Sequence, residues 1–279
     1  MSWFVFSFIS AILTSAAALV EKKALFKEHA MEFAAVLAFI NGLIALPLFF
    51  FIDYSKIEPT ALLILLGISV MGAFAFFLIM KALRHMEVTA VSPLRMLSPG
   101  IVAILAFVLL GEELARFQVL GIVLLIVGLY VLETRGRGFK NTFQSLKQSK
   151  YIQLAALATL LYGFTAILDR YILSRYLLEP IAYIAFVHIF LAFIFLVMLG
   201  FFHDGFSGIK HGLKSSGWWI VLVSFLTIGY RFAQIKAVSL SYVGLAEAVR
   251  QTSPFFTILI GGELFHEKNL LRKVIASFI

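Results

Sequence analysis

The stretch KALRHMEVTAVSPLRMLSPGIVAILAFVLLGE, residues 81–112, recurs as KAVSLSYVGLAEAVRQTSPFFTILIGGELFHE, residues 236–267. The two stretches align without a gap at an offset of 155 residues (81 to 236). Apolar residues match by chance, but the offset also pairs Arg95 with Arg250 and Pro99 with Pro254. Weak internal symmetry of this kind is typical of membrane transporters built from two repeats. The sequence therefore predicts two similar halves.

The composition indicates that lipid is the solvent. Of the 279 residues, 62% are hydrophobic and 14% are charged, and the mean hydropathy is +1.00. A soluble domain is about 45–50% apolar and about 25% charged. The formal net charge of +8 fits cations gathered in cytoplasmic loops better than nucleic-acid binding. With no cysteine, the chain has no disulfide, thiolate metal site or cysteine nucleophile.

Ten apolar segments are candidates for membrane-spanning helices, since crossing a bilayer takes roughly 20 mostly apolar residues. The basic stretch 134–150 separates a first half, 1–133, from a second half, 151–279. The segments are 3–20, 32–52, 60–84, 88–110, 116–133, 152–173, 180–202, 217–237, 243–265 and 270 onward.

Five spans in each half predict an inverted repeat. Because five is odd, the second half enters the bilayer upside down relative to the first, and a pseudo-two-fold axis lies in the membrane plane. The tenth segment, 270–279, is roughly half as long as its counterpart 116–133. We therefore expect an all-α integral membrane protein of ten helices in which the tenth is truncated.

The two halves share a motif in which a mid-helix proline precedes an apolar run and a glutamate at the helix end. Pro99 is followed by Gly111-Glu112, and Pro254 by His266-Glu267, where the glycine is replaced. With the five-plus-five layout, this pattern resembles the EamA-domain transporters of the drug/metabolite transporter superfamily. The resemblance covers essentially the whole chain. It implies export or exchange of metabolites, amino acids or drugs through a central cavity between the halves.

Charged residues inside apolar segments are the first candidates for a substrate site, because a charge in the membrane is costly. Arg95 and its counterpart Arg250 lie about 10 Å from the starts of their helices. A guanidinium suits a carboxylate or phosphate, but either arginine could instead extend to the interface. Glu247 lies three residues before Arg250 and could form a structural ion pair with it or accept a coupled proton.

Further candidates lie in the sixth and eighth segments and at the two prolines. Arg231 has no arginine counterpart in the first half, where Phe76 stands. Tyr162 and Tyr230 are deep enough to line a cavity. Pro99 and Pro254 predict helix kinks near the midplane, which have either an architectural role or a role in forming the site. These candidates are Arg95, Tyr162, Tyr230, Arg231, Glu247 and Arg250 for substrate binding or gating, and Pro99 and Pro254 for kinks.

The motifs of enzymes and of ATP-driven transport are absent from the sequence. It has no HExxH, no nucleotide-binding glycine loop and no GxSxG. We expect no catalytic residue, metal or cofactor. The expected function is secondary transport of small metabolites by a multi-pass protein of the cell membrane, as an exporter or exchanger with a possible coupled proton or other ion. A membrane enzyme acting on lipid and a non-transporting receptor or scaffold are the alternatives.

Membrane orientation stays open at the level of sequence. Lysine and arginine concentrate after odd-numbered segments, which puts the N-terminus outside by the positive-inside rule. The family resemblance implies cytoplasmic termini instead. Substrate, coupling ion, direction and oligomeric state do not follow from the residues.

Overall fold

A computed structural model of the protein describes residues 2–25, 30–86, 98–111, 119–121, 123–124, 149–202 and 206–264. Over these residues the chain is helical and contains no strand. The principal helices are α1 (Trp3–Leu25), α2 (Ala30–Ala45), α3 (Pro59–His85), α4 (Ser98–Leu110), α5 (Lys150–Arg175), α6 (Pro180–Phe202), α7 (Phe206–Leu240), α8 (Val243–Arg250) and α9 (Ser253–Leu264).

Six helical stretches in the described part of the chain are long and apolar enough to cross a membrane. They are Trp3–Leu25, Ala30–Phe51, Pro59–His85, Lys150–Arg175, Pro180–Gly200 and Gly217–Leu240. The second continues α2 through a 3₁₀ helix, Leu46–Phe51, which has a proline in its first turn. Helices α3 and α6 also begin at prolines, whose missing N–H has no partner in a first turn.

Helix α1 shows how the chain suits a lipid solvent. Its outward side chains, such as Phe4, Phe8 and Ile12, are large and apolar. Its buried side chains are small and often polar, such as Ser7 and Ser10. Small residues let membrane helices approach closely, and lipid provides no reason to hide large apolar ones. The helix is therefore more polar inside than outside.

The helices pack in a pattern that stays the same when the two halves are exchanged. The most extensive contacts are α1 with α7 and α3 with α5, and each pair maps onto the other. Helix α2 packs on α6, and the contact of α2 with α7 has its counterpart in α6 with α3. Helix α4 contacts α5, as α8 and α9 contact α1. Most of the contact surface therefore joins one half to the other.

A matching hydrogen bond holds the first and third helices together within each half. Lys22 of α1 donates to the carbonyl oxygens of Leu83 and Met86, both at 2.7 Å, where α3 ends. Arg170 of α5 donates to the carbonyl oxygen of Val238 at 3.0 Å, where α7 ends. The last carbonyls of a helix have no intrahelical donor and carry partial negative charge, so a cation there is favourable.

The predicted ninth segment differs from expectation. Instead of one helix over 243–265, the chain forms α8 and α9, separated by a turn at Gln251 and Thr252. Residues 134–148 of the predicted linker 134–150 and the tenth segment lie outside the described residues, as do the part of the fourth segment before Ser98 and most of the fifth.

Candidate functional site

A cavity lies between the two halves. It contains about 1300 Å³ of empty space, including the part that opens to the outside. Its walls come from α2 to α8, and the side chains of α5 and α7 make the largest contribution. The polar and charged residues on its wall are Asn41, Ser69, Ser98, Thr159, Tyr162, Thr165, Asp169, His188, Thr227, Tyr230, Arg231, Gln234, Glu247, Arg250 and Gln251.

Helical periodicity puts these side chains on the cavity faces of α5 and α7. On α7, Tyr230, Arg231 and Gln234 follow Thr227 at intervals of three, four and seven residues. That spacing selects one side of an α-helix. Thr159, Tyr162 and Asp169 show the same periodicity on α5, so two helices of the second half each present a polar face to the cavity.

Glu247 sits at the centre of a hydrogen-bonded cluster on the cavity wall. Its side chain is part of an ion pair with Arg250, whose Nε lies 3.0 Å from Oε2 and whose Nη2 donates to Oε1. Gln234 donates to Oε2 at 3.1 Å, Gln251 to Oε1 at 3.3 Å, and Ser98 of α4 to Oε1 at 3.2 Å. The residue is only 3% exposed. Donors from three helices and from the turn after α8 therefore converge on this carboxylate, and several of these hydrogen bonds are charge-assisted.

The break between α8 and α9 lies next to this cluster. Gln251, in the turn, donates from its backbone N–H to Glu247 and from its side chain to the Glu247 carboxylate. Pro254 is the second residue of α9, so it begins a helix rather than bending one. Irregular backbone at membrane depth is tolerated where it is buried in protein or lines a cavity. Pro99 is the repeat counterpart of Pro254, and because the residues before Ser98 are outside the described part, the kink predicted there stays a prediction.

Asp169 and Arg231 carry the remaining charges of the cavity wall. Asp169 accepts a hydrogen bond of 2.6 Å from the hydroxyl of Tyr183 on α6, and is 8% exposed. Arg231 interacts electrostatically with Asp169 and also forms a side-chain hydrogen bond with Tyr183, so Tyr183 contacts both charged residues. Within the described residues, no carboxylate oxygen lies within 4.0 Å of its guanidinium. Asp169 and Arg231 thus share the cavity without forming a contact ion pair.

Most of the residues predicted from the sequence lie on this wall. Tyr162, Tyr230, Arg231, Glu247 and Arg250 line the cavity. Arg95 lies outside the described residues and stays a prediction. The Glu247 cluster favours the structural ion pair over the proton acceptor, the two roles that the sequence left open.

Sequence reasoning missed Asp169 as a cavity residue. It is not among the residues that the sequence proposed for substrate binding or gating. An acid within an apolar helix was a usable signal, because such residues are rare and functional in membranes. Its partner Tyr183 is fourteen residues away on the next helix, and nothing in the sequence connects the two.

An exposed ion pair joins the halves at one end of the bundle. Lys56, between α2 and α3, lies 3.0 Å from Asp53 and 3.3 Å from Glu179, which precedes α6. Hydrogen bonds from the side chains of Ser55 and then Lys56 lower the pKa of Asp53. The side-chain hydrogen bonds that Lys56 donates, to Asp53 and then to Glu179, raise the pKa of Lys56. The cluster is therefore intact at neutral pH and weakens as the pH falls through the lowered pKa of Asp53.

The model of the EamA-like transporter family matches residues 1–134 and 149–279. The chain belongs to the EamA-like transporter family. The chain is similar to a solved crystal structure, with 15% sequence identity and a TM-score of 0.70. The alignment covers 99% of this chain and 93% of the chain in that structure. At that identity the likeness shows the fold alone. A search of curated proteins gives no match.

Membership of the EamA-like family and the apolar helices together identify a multi-pass membrane protein of a family of small-solute transporters. Among the residues that the structure describes, no group of three histidine, aspartate or glutamate side chains could hold a metal ion. The polar and charged side chains on the cavity wall offer charge and hydrogen bonding, which suits the recognition of a polar solute.

Proposed function

We propose that this protein is a secondary transporter of small metabolites in the cell membrane, working as an exporter or exchanger by alternating access. Ten spans in two inverted repeats, 1–133 and 151–279, surround the cavity and are joined by the linker 134–150. The observation that carries the proposal is a cavity between the halves with four ionisable side chains of both signs, Asp169, Arg231, Glu247 and Arg250. Such a wall stabilises a polar solute where lipid does not.

Helices that occupy equivalent positions in the two repeats contribute unequally to the cavity wall. This asymmetry supports alternating access. Helix α5 contributes five residues to the wall, whereas its counterpart α1 contributes none of the wall residues that are described. Helix α1 instead packs against α7, α8 and α9. In an inverted repeat, each half can adopt the packing of the other, and the cavity then opens to the opposite side of the membrane. We expect α1 to line the cavity when it opens to the other side.

The buried face of α1 carries the polar groups that such a wall needs. Ser7, Ser10 and Thr14 recur at intervals of three and four residues, so they share one face of the helix. Ser10 donates to the carbonyl oxygen of Tyr230 at 2.9 Å. The hydroxyl oxygens of Ser7 and Thr14 have no hydrogen-bond partner among the residues that the structure describes. Leaving a buried polar group unsatisfied costs about 1–3 kcal/mol, a cost that exposure to a water-filled cavity relieves.

Transport is tested by metabolite profiling of cells and spent medium. Cells expressing the wild type are compared with Arg231→Gln, with an empty vector and with Arg175→Gln, a matched change of an exposed arginine at the end of α5. The proposal expects a class of compounds depleted inside and enriched outside with wild type and Arg175→Gln only. Identical profiles, with all proteins verified in the membrane, would remove the exporter and favour the receptor or lipid-enzyme alternatives.

Alternating access is tested separately by cysteine labelling, because the natural chain has no cysteine. Single variants Thr14→Cys, Thr159→Cys and the lipid-facing Ile12→Cys are exposed to a membrane-impermeant thiol reagent from either side. We expect Thr159→Cys to react from one side and Thr14→Cys from the other, with Ile12→Cys inert. If Thr14→Cys never reacts, α1 does not become a cavity wall and the proposed exchange of packings is wrong.

A further inference from the structure

The two carboxylates of the cavity differ in how fully their charges are compensated. Glu247 pairs with Arg250 and accepts further hydrogen bonds from Ser98, Gln234 and Gln251. Asp169 accepts one hydrogen bond, from Tyr183, and has no cation within ion-pair distance in the described structure. An ionised carboxylate away from water is unfavourable unless it is paired and fully hydrogen-bonded. Protonation of Asp169 therefore disrupts fewer existing contacts than protonation of Glu247 would.

Arg231 is the cavity cation that is available to a solute. Arg250 is engaged by Glu247, whereas no carboxylate in the described part of the chain contacts the Arg231 guanidinium. A guanidinium is always charged and presents a planar set of donors that fits a carboxylate. Tyr162, Tyr230 and Phe76 line the same cavity, so an aromatic carboxylate finds both ring contacts and a charge partner.

We propose, building on the transport function above, that Arg231 binds the anionic group of the solute and that Asp169 takes up one proton when it does. A bound anion neutralises Arg231, the cation that acts electrostatically on Asp169 in the same cavity, so the ionised form of Asp169 loses its electrostatic support. The proton comes from water in the open cavity and binds the free oxygen of the carboxylate. Solute and proton then cross together, and the charge of the occupied cavity does not change.

The other ionisable groups facing Asp169 do not replace it in this role. From α6, Tyr183 donates to it and His188 contacts the carbonyl oxygen of Ile184 through Nδ1 at 2.8 Å. From α8, Glu247 and Arg250 neutralise one another. Arg170, the next residue on α5, is directed to the end of α7. Among the described groups, Arg231 is thus the cation whose neutralisation by a solute changes the surroundings of Asp169 most directly.

The test is infrared difference spectroscopy of purified protein in lipid nanodiscs, with benzoate as the aromatic carboxylate probe. Adding benzoate to the wild type should produce the carbonyl band of a protonated carboxyl group and the uptake of one proton. Both signals should be lost in Asp169→Asn. In the double variant Glu247→Gln/Arg250→Gln, which removes the other carboxylate together with its cation, the band and the uptake of one proton should persist for each benzoate that still binds, even if fewer bind. Benzoate affinity should fall about tenfold for each unit of pH rise in the range where the proton is taken up, since the two sites are linked.

Each contrary result overturns a named part of the proposal. A band that persists in Asp169→Asn places the proton elsewhere, and a band lost in the double variant returns it to Glu247. Absence of benzoate binding to wild type, or unchanged binding in Arg231→Gln, removes the anion subsite. Asp169→Glu, which keeps the carboxyl group, should retain proton uptake and so distinguishes lost chemistry from lost folding. None of these spectra depends on transport, so the coupling can fail while the labelling and export results stand.

Discussion

The ion pair between Glu247 and Arg250 should contribute strongly to the stability of the fold. The substitution Glu247→Gln measures this contribution. The Glu247 side chain is almost fully enclosed and accepts at least five hydrogen bonds, two of them from Arg250. The substitution keeps the shape but removes the charge, which leaves the mostly buried Arg250 without its counterion. Removing one partner of a buried pair costs about 3–5 kcal/mol. An exposed pair is worth only about 0–1 kcal/mol.

The double variant Glu247→Gln/Arg250→Gln separates the ion pair from the rest of the cluster. With both charges gone, no unpaired charge stays buried, so this variant should be more stable than Glu247→Gln alone. Together with the wild type and the two single variants, it forms a double-mutant cycle. The interaction energy from this cycle should reach the upper part of the usual range of about 0.5–3 kcal/mol for residues in contact.

Unfolding by sodium dodecyl sulfate in mixed micelles, followed by tryptophan fluorescence, measures these free energies. The wild type, the two single variants and the double variant are compared at equal lipid and detergent composition. If Glu247→Gln is as stable as the wild type, or if the single-variant losses simply add in the double variant, the pair does not stabilise the fold and the structural role assigned to Glu247 is wrong.

Two further predictions concern the packing of α1 to α5. A Cβ atom added at Gly163 of α5 would lie 2.8 Å from Cγ2 of Ile101 on α4, so Gly163→Ala should cost about 1–3 kcal/mol through overpacking. Gly67→Ala on α3, where nothing lies within 4 Å of the added atom, is the control and should be nearly neutral in the same unfolding assay. Lys22→Met and Arg170→Met each remove a charged donor from the end of a third helix, and each should lose about 1.5–3 kcal/mol. Very unequal losses at these two positions would argue against equivalent roles for the two hydrogen bonds.

The sequence was sufficient for the features that depend on hydropathy and on the offset of the repeat. Residues 180–202 and α6 share their bounds, and α3 and α5 extend only one or two residues beyond their predicted segments. Apolar length alone fixes such helices, because each satisfies its own backbone hydrogen bonds in lipid. The helix break at Gln251 and Thr252 was harder to predict, since it lies beside the Glu247 cluster and includes a side chain that bonds to it.

The candidate site was only partly predictable, because its chemistry depends on contacts between distant parts of the chain. Arg231 was singled out from the sequence because an arginine within an apolar segment is unusual. The hydrogen bond of Ser98 to Glu247 joins residues on helices of different halves, and Tyr183 reaches Asp169 from the neighbouring helix. Helical periodicity assigns each side chain to a face, but it does not say which faces meet.

The distribution of charge in the cavity explains why two arginines that look alike in the sequence have different roles. A membrane-embedded cavity is most favourable when its charges are compensated, and Glu247 compensates Arg250 through direct contact. Asp169 and Arg231 interact electrostatically without an ion-pair contact in the described structure, and in our proposal this interaction is exchanged for contacts with a solute. A transporter needs a site that binds in either state without trapping its solute. We propose that Asp169 and Arg231 meet this requirement, while the contact pair of Glu247 and Arg250 keeps the wall in shape around them.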